Sequence, residues 1–230
     1  MNGLAIERIE STLVLTLDRP ERANAVNEAI HDGLVAQLES AAREEGVRAA
    51  ILAAAGEKCF CAGADLKEFS GLDPATASAR RRALLVRTLE ALIDFPKPLV
   101  AAVQAQALGA GLMFVALADE VVAVDGARFG MPEIQHGMPS PIGMAILAAR
   151  TGARAAERLV QLGAPLDAAQ AHQLGLVDEI AAAGRLKDRA IERARALGAL
   201  DGRAFSINKA FAAGRLRNDL HAARRFIDAT

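Results

Sequence analysis

Three features of this 230-residue chain predict an α/β fold whose last third is helical. Short apolar runs of strand length alternate with amphipathic stretches of helical period as far as about Pro141. Beyond Pro141, Ala-rich helical patterns take over. Two turns of small residues, Ala62-Gly63-Ala64 and Leu108-Gly109-Ala110-Gly111, each stand between an apolar run and what reads as a helix start.

The elements follow in order. Residues 4–9 and 12–17 read as a hairpin turned at Glu10-Ser11. Asn27 caps an amphipathic helix that runs to about Glu45 and is closed by Gly46. An apolar strand at 48–54 leads to the loop carrying Ala64, and Asp73-Pro74 opens a helix from about Ala75 to Ile93. Pro96 and Pro98 force an extended entry to the run 99–103. A helix over 108–118, a strand at 120–124 and a short extended piece at 127–129 complete the alternating part. Helical patterns then fill 142–149, 153–162, 167–173 and 183–199, with 176–180 extended. Two final helices are expected at about 202–213 and 215–227, divided at Gly214.

Composition narrows the function. The chain is 52% apolar with a formal net charge of −1, so it has material for a sizeable core and no basic excess for nucleic acid. Arg80-Arg81-Arg82, the densest basic spot, reads as a solvated helix face. Leu99 to Ala118 carries no charge over the length of a membrane span. Gln104, Gln106, Gly109 and Gly111 interrupt it, and it reads better as a strand, a turn and a helix. Cys59 and Cys61 have neither zinc-knuckle nor disulfide-framework spacing, and Glu7, Arg8 and Glu10 break any leader-like apolar core. A reducing cytoplasm is the expected location.

The two small-residue turns carry the chemistry. Amides at a helix start have no partner inside the helix, and the dipole there favours negative charge. Two such turns brought together hold one oxygen between two N–H groups, which is the construction of an oxyanion hole.

With Pro20-Glu21-Arg22-Ala23-Asn24-Ala25, Ala62-Gly63-Ala64-Asp65-Leu66-Lys67-Glu68, Pro96-Lys97-Pro98, Ala107-Leu108-Gly109-Ala110-Gly111, Phe129-Gly130-Met131-Pro132-Glu133-Ile134 and Gly175-Leu176-Val177-Asp178, the chain resembles the crotonase superfamily, typified by enoyl-CoA hydratase. The motifs stand in the family's order over most of the chain. The resemblance implies a crotonase-like spiral of ββα turns over residues 1–181 and a helical C-terminal oligomerisation region over 182–230, building homotrimers or hexamers. It implies an acyl-CoA thioester substrate, with coenzyme A entering as part of the substrate and no separate cofactor or metal. By resemblance, the N–H groups of Ala64 and Ala110 hold the thioester oxygen, each worth roughly 3 kcal/mol of transition-state stabilisation. Arg22, Lys58 and Lys67 are expected beside the phosphates and the backbone of Ala62, Gly63, Ala64, Asp65 and Leu66 around the adenine, with Gly109 also among the residues that bind coenzyme A.

The count of carboxylates decides between reactions. A hydratase of this family uses two glutamates; here Met113 stands at the first position and Glu133 at the second, with the family's separation of 20 residues between them. Hydration needs one group to activate water and one to protonate carbon, whereas moving a double bond from the 3- to the 2-position needs a single base that lifts a proton from C2 and returns it to C4. Isomerisation at Glu133 is therefore favoured, and hydration with Glu133 plus ordered water or His136 is the alternative. A crotonase-like scaffold that binds acyl-CoA or a partner without turnover is a third reading. His31, His172 and His221 have no nucleophile beside them in the sequence and read as packed or solvated. Gln104-Ala105-Gln106 and Ser140-Pro141-Ile142 depart from the family pattern, and the chain stops shortly before the ending typical of relatives.

Overall fold

The computed structural model describes residues 3–229. The chain opens with β1 (Leu4–Ile9) and β2 (Thr12–Leu17), an antiparallel hairpin in the register Leu4↔Leu17, with Glu10 at φ +54° in its tight turn. It continues through α1 (Glu28–Arg43), β3 (Ala49–Ala54), β4 (Cys59–Cys61), α2 (Pro74–Asp94), β5 (Leu99–Val103), β6 (Gln106–Leu108), α3 (Ala110–Ala116), β7 (Glu120–Val124) and β8 (Arg128–Gly130). The remainder is α4 (Pro141–Thr151), α5 (Ala153–Leu162), β9 (Leu166–Asp167), α6 (Ala168–Gln173), β10 (Glu179–Ala181), α7 (Leu186–Gly198) and α8 (Gly202–Asp228).

Two sheets result. The larger has the order β1-β2-β3-β5-β7-β10 and is parallel beyond its first pair; the smaller has the order β4-β6-β8-β9. The pairs β3/β4, β5/β6 and β7/β8 each give one strand to either sheet before a helix returns the chain. That repetition is the expected spiral of ββα turns. Strands β5 and β7 are buried at every residue, as parallel strands covered on both faces must be. Buried Glu120 in β7 is compatible with this only because Arg193 of α7 pairs with it at 2.5 Å.

The helix starts anticipated from sequence are held by side-chain caps. Asn27 accepts from Ile30 N at 3.1 Å, and Asp73 accepts from Thr76 N at 3.0 Å with Pro74 at the first position. The uncharged stretch 99–118 resolves into β5, β6 and α3, and no described helix is long and apolar enough to cross a membrane.

Two local expectations are corrected. Residues 202–228 form one helix, because a glycine inside a helix costs only about 1 kcal/mol and burial of Ala213 and Leu220 on either side of Gly214 outweighs it. Residues 62–64 do not start a helix either: Ala64 bridges to Val26, and α2 begins ten residues later. The triple arginine is also less idle than expected. Arg80 pairs with Glu28 at 3.0 Å and lies over the Phe69 ring, and Arg82 pairs with Asp228 at 2.9 Å.

His31 is buried between α1 and α2, with Nδ1 2.7 Å from Thr88 Oγ1 and its ring edge-on to Phe114. Burial, reinforced by Arg87, pushes its pKa from 6.5 down to about 4. The folded state therefore keeps the ring neutral where the unfolded chain already takes a proton. The stability this provides is complete above pH 6.5 and is lost as pH falls toward 4, by about 3 kcal/mol. Urea unfolding at stepped pH should show that loss, and His31→Gln should flatten it.

Candidate active site

The site is built where two strand ends of the smaller sheet meet. After β4, Gly63 takes φ +102° and the chain pairs with the segment after Asn24: Val26 N donates to Gly63 O at 2.8 Å and Asp65 N to Val26 O at 2.9 Å. This alternation leaves the Ala64 N–H without an acceptor among the described residues. After β6, Gly109 takes φ +53° and ψ −120°, a conformation open to glycine, and its own N–H is bound by Gly130 O at 3.0 Å. Ala110 is then the first residue of α3, so its N–H also lacks an intrahelical acceptor.

The parallel pairing of β4 with β6 sets the two turns side by side. A methyl group placed on Gly63 would stand 3.7 Å from Ala110 N and 3.5 Å from Leu108 O. Gly111 makes the contact possible from below, since any side chain there would fall 2.5 Å from Cys61 Cβ. Helix α3 thus rests directly on β4.

Glu133 comes to the same place. It lies in a 3-10 turn, Pro132–His136, that follows β8, where its carbonyl accepts from Met138 N at 3.0 Å. Its Oε1 sits over Gly109, 2.6 Å from where a Cβ would be, so Gly109 is needed for space as well as for φ. Oε2 is buried with no hydrogen-bond partner among the described residues. Burial raises the carboxyl pKa, opposed by its own backbone N–H and by the nearby charge of His136. A buried carboxylate oxygen without a donor is costly for folding, and such groups concentrate at sites of chemistry. Met113 is buried one turn along α3 from Ala110, so the position where the resemblance implies a second carboxylate is apolar.

The residues expected around coenzyme A divide. Lys58 is exposed on a cleft of about 310 Å³ lined by Pro20, Ala55, Gly56, Glu57, Lys58 and Cys59. Arg22 is exposed at the end of the turn Pro20–Arg22 that borders this cleft. Lys67 and Leu66 are exposed beyond Asp65. Within 62–66 much of the backbone is already engaged, with Ala62 N bound to Ala23 O at 3.0 Å. The Asp65 side chain is held by Arg19 at 3.0 Å, so it braces the loop from within.

Three positioning residues were not anticipated. Asn24, fully buried at φ +52°, donates to Ala55 O at 2.8 Å and Cys59 O at 2.9 Å and accepts from Arg19 N at 2.9 Å. Arg19 adds a bond to Ala25 O at 2.9 Å. Gln104 donates to Gly56 O at 3.0 Å and Cys59 O at 3.2 Å. Together they fix the loops beside the 310 Å³ cleft. The signals in the sequence are Asn24, a residue type that tolerates the left-handed region, and Gln104, part of a departure from the family pattern. Asn24→Ala should cost about 2–3 kcal/mol in urea unfolding, because Ala55 O and Arg19 N lose their partner and Cys59 O keeps only Gln104.

Other nucleophile and base candidates fall away. Both cysteines are free and buried, and Cys61 is pushed up to about 12, so its thiol is inert. His172 binds Val177 O at 2.9 Å and His221 pairs with Glu90 at 2.9 Å.

Comparison with known proteins gives the same direction. Residues 7–226 match the family model described as enoyl-CoA hydratase/isomerase. A 2,3-dehydroadipyl-CoA hydratase of Escherichia coli is 40% identical over 181 residues, 78% of this chain and 69% of the relative. A probable enoyl-CoA hydratase of Rhizobium meliloti is 36% identical over 77% of this chain and 68% of its own. The crystal structure of an enoyl-CoA hydratase from Bacillus anthracis superposes with a TM-score of 0.87 at 27% identity, covering 99% of this chain and 88% of that one.

Proposed function

The chain belongs to the enoyl-CoA hydratase/isomerase family, and from that premise we propose that it isomerises an enoyl-CoA thioester through the single base Glu133. The observation that carries this reading is the partnerless buried oxygen of Glu133 beside two unengaged main-chain amides, with Met113 where a second carboxylate would stand. The thioester oxygen lies between the N–H groups of Ala64 and Ala110. Glu133 removes a proton from C2 of a 3-enoyl thioester, and the electron pair moves onto that oxygen as a dienolate. The amides stabilise charge that develops only at this stage, which lowers the barrier and not merely the ground state. Protonated Glu133 then returns the proton to C4, leaving a 2-enoyl thioester. The sequence is redox-neutral and needs no cofactor beyond the coenzyme A of the substrate.

Lys58 and Arg22 serve the phosphates of coenzyme A, and the cleft beside Pro20 and Lys58 supports that placement. Lys67 and the 62–66 backbone are assigned to the same ligand. A homotrimer or hexamer is part of the proposal, supported by Ile207, Phe211 and Phe226 exposed on α8; a monomeric sedimentation coefficient would remove it. So is a cytoplasmic location, supported by two unpaired thiols.

Hydration is the second reading, favoured by the names of the 40% and 36% identical relatives. Assays of the purified protein on a 3-enoyl-CoA and on crotonyl-CoA separate the two. Isomerisation well in excess of hydration is expected; rapid hydration without isomerisation transfers the assignment to the second reading.

A further inference from the structure

Two methionine thioethers converge on one glycine beside the Glu133 site. Met113 projects from α3 three residues past Ala110, and Met131 precedes Glu133 by two residues. Gly143 is the third residue of α4, and all three are buried. A methyl placed on Gly143 would lie 2.4 Å from Met131 Cε, 2.6 Å from Ser140 Oγ and 3.1 Å from Met113 Cε. Helix α4 therefore approaches the ends of both thioethers as closely as it does only because residue 143 has no side chain.

We propose that Gly143, acting through Met113 and Met131, sets the length of acyl chain that the site accepts. The inference rests on the acyl-CoA reading above. With the thioester carbonyl at Ala64 and Ala110, the reacting carbons lie under Glu133, and the acyl carbons beyond them run toward the face of α3 that bears Met113. Two unbranched, polarisable side chains form an adaptable apolar wall there, in place of a charged group and its water. The thioether ends reach into the space that a Cβ of Gly143 would take, so residue 143 sets how far that wall stands back.

The position offers an unusually clean test. Gly143 is helical with no positive φ, so alanine is favoured there by helix propensity. The three nearest atoms beyond its own helix backbone, Met131 Cε, Ser140 Oγ and Met113 Cε, all end side chains. Gly143→Ala should fold and should displace the Met131 thioether, and Met113 by less, away from α4 and into the path of the acyl chain.

Calorimetric titration with unreactive saturated thioesters, from acetyl-CoA to octanoyl-CoA, reads the effect without turnover. For Gly143→Ala the affinity for acetyl-CoA should stay within about twofold, while octanoyl-CoA weakens by about tenfold or more, the discrimination a displaced methylene supplies. Adding Met131→Leu, which lacks the terminal methyl nearest to residue 143, should restore the long chain. Uniform weakening across the series, or an unchanged length profile, overturns the inference and leaves the functional reading standing. If the unsubstituted protein binds no acyl-CoA of any length, the functional reading falls and takes this one with it.

Discussion

Glu133→Gln is expected to lower turnover on an enoyl-CoA by about 10²–10⁴-fold, the range supplied by one positioned acid–base group. Gln has the shape of Glu and cannot carry the proton, so binding of an acyl-CoA should persist while chemistry stops. The pH profile gives an independent reading. Glu133 works as the ionised base, so activity should fall as pH drops through its pKa. Burial has raised that pKa, which places the acidic limb above the ordinary value of 4.5. His136→Gln should move the limb further up, because the histidine charge favours the carboxylate. In Glu133→Gln the limb should vanish.

The same raised pKa fixes the expected effect on stability. A carboxyl whose folded pKa lies above its unfolded value stabilises the fold at low pH, and this contribution is lost as pH rises through the folded pKa. At neutral pH the ionised Glu133 is therefore a burden, and the neutral Gln variant should melt no lower than the unsubstituted protein. Loss of activity with retained or raised melting temperature is the signature of a residue kept for chemistry against the interest of the fold. If every measurable activity survived the substitution, Glu133 would have no catalytic role, and the non-catalytic scaffold would become the better reading.

The elements legible in the sequence were those set by local chemistry. The hairpin at 4–17 follows from two apolar runs and a two-residue turn, and α1 and α2 begin at Asn27 and Asp73 because each side chain satisfies an amide three residues on. In the sequence the proposed site residues stand out as members of two small-residue turns, for Ala64 and Ala110, and of an ordered motif, for Glu133. What unites them is non-local: β4 pairs with β6 across more than forty intervening residues, and a register shift in that pairing lies beside the first turn. The bracing by Arg19, Asn24 and Gln104 was hidden for the same reason. These side chains serve carbonyls at Ala25, Ala55, Gly56 and Cys59, and only the folded chain shows which carbonyls lack strand partners. Gly214 misled in the opposite sense, through a weak local preference that packing overrides.

Deleting an amide donor is the most direct test of the proposed oxyanion site, and proline at 110 does so with the least collateral damage. Ala110 opens α3, where the helix makes no use of the N–H and where proline's fixed φ is already suited. The preceding residue is Gly109, the residue type least restricted by a following proline ring. Ala110→Pro should therefore keep the fold, with far-ultraviolet dichroism unchanged. One donor in such a site is worth about 10²–10³-fold in turnover, or about 3–4 kcal/mol. The measured loss in kcat/KM should be at least that large, since the ring carbon bonded to nitrogen also occupies the place of the thioester oxygen. Ala110→Gly, which keeps the N–H, is the control and should retain most of the rate. Because the donor belongs to the backbone, no substitution that spares the N–H can mimic the proline. Equal, severe losses in the glycine and proline variants would mean that the alanine side chain matters and the amide does not. That result would remove the oxyanion role from Ala110, and with it the account of how Glu133 finds an acidic proton to take.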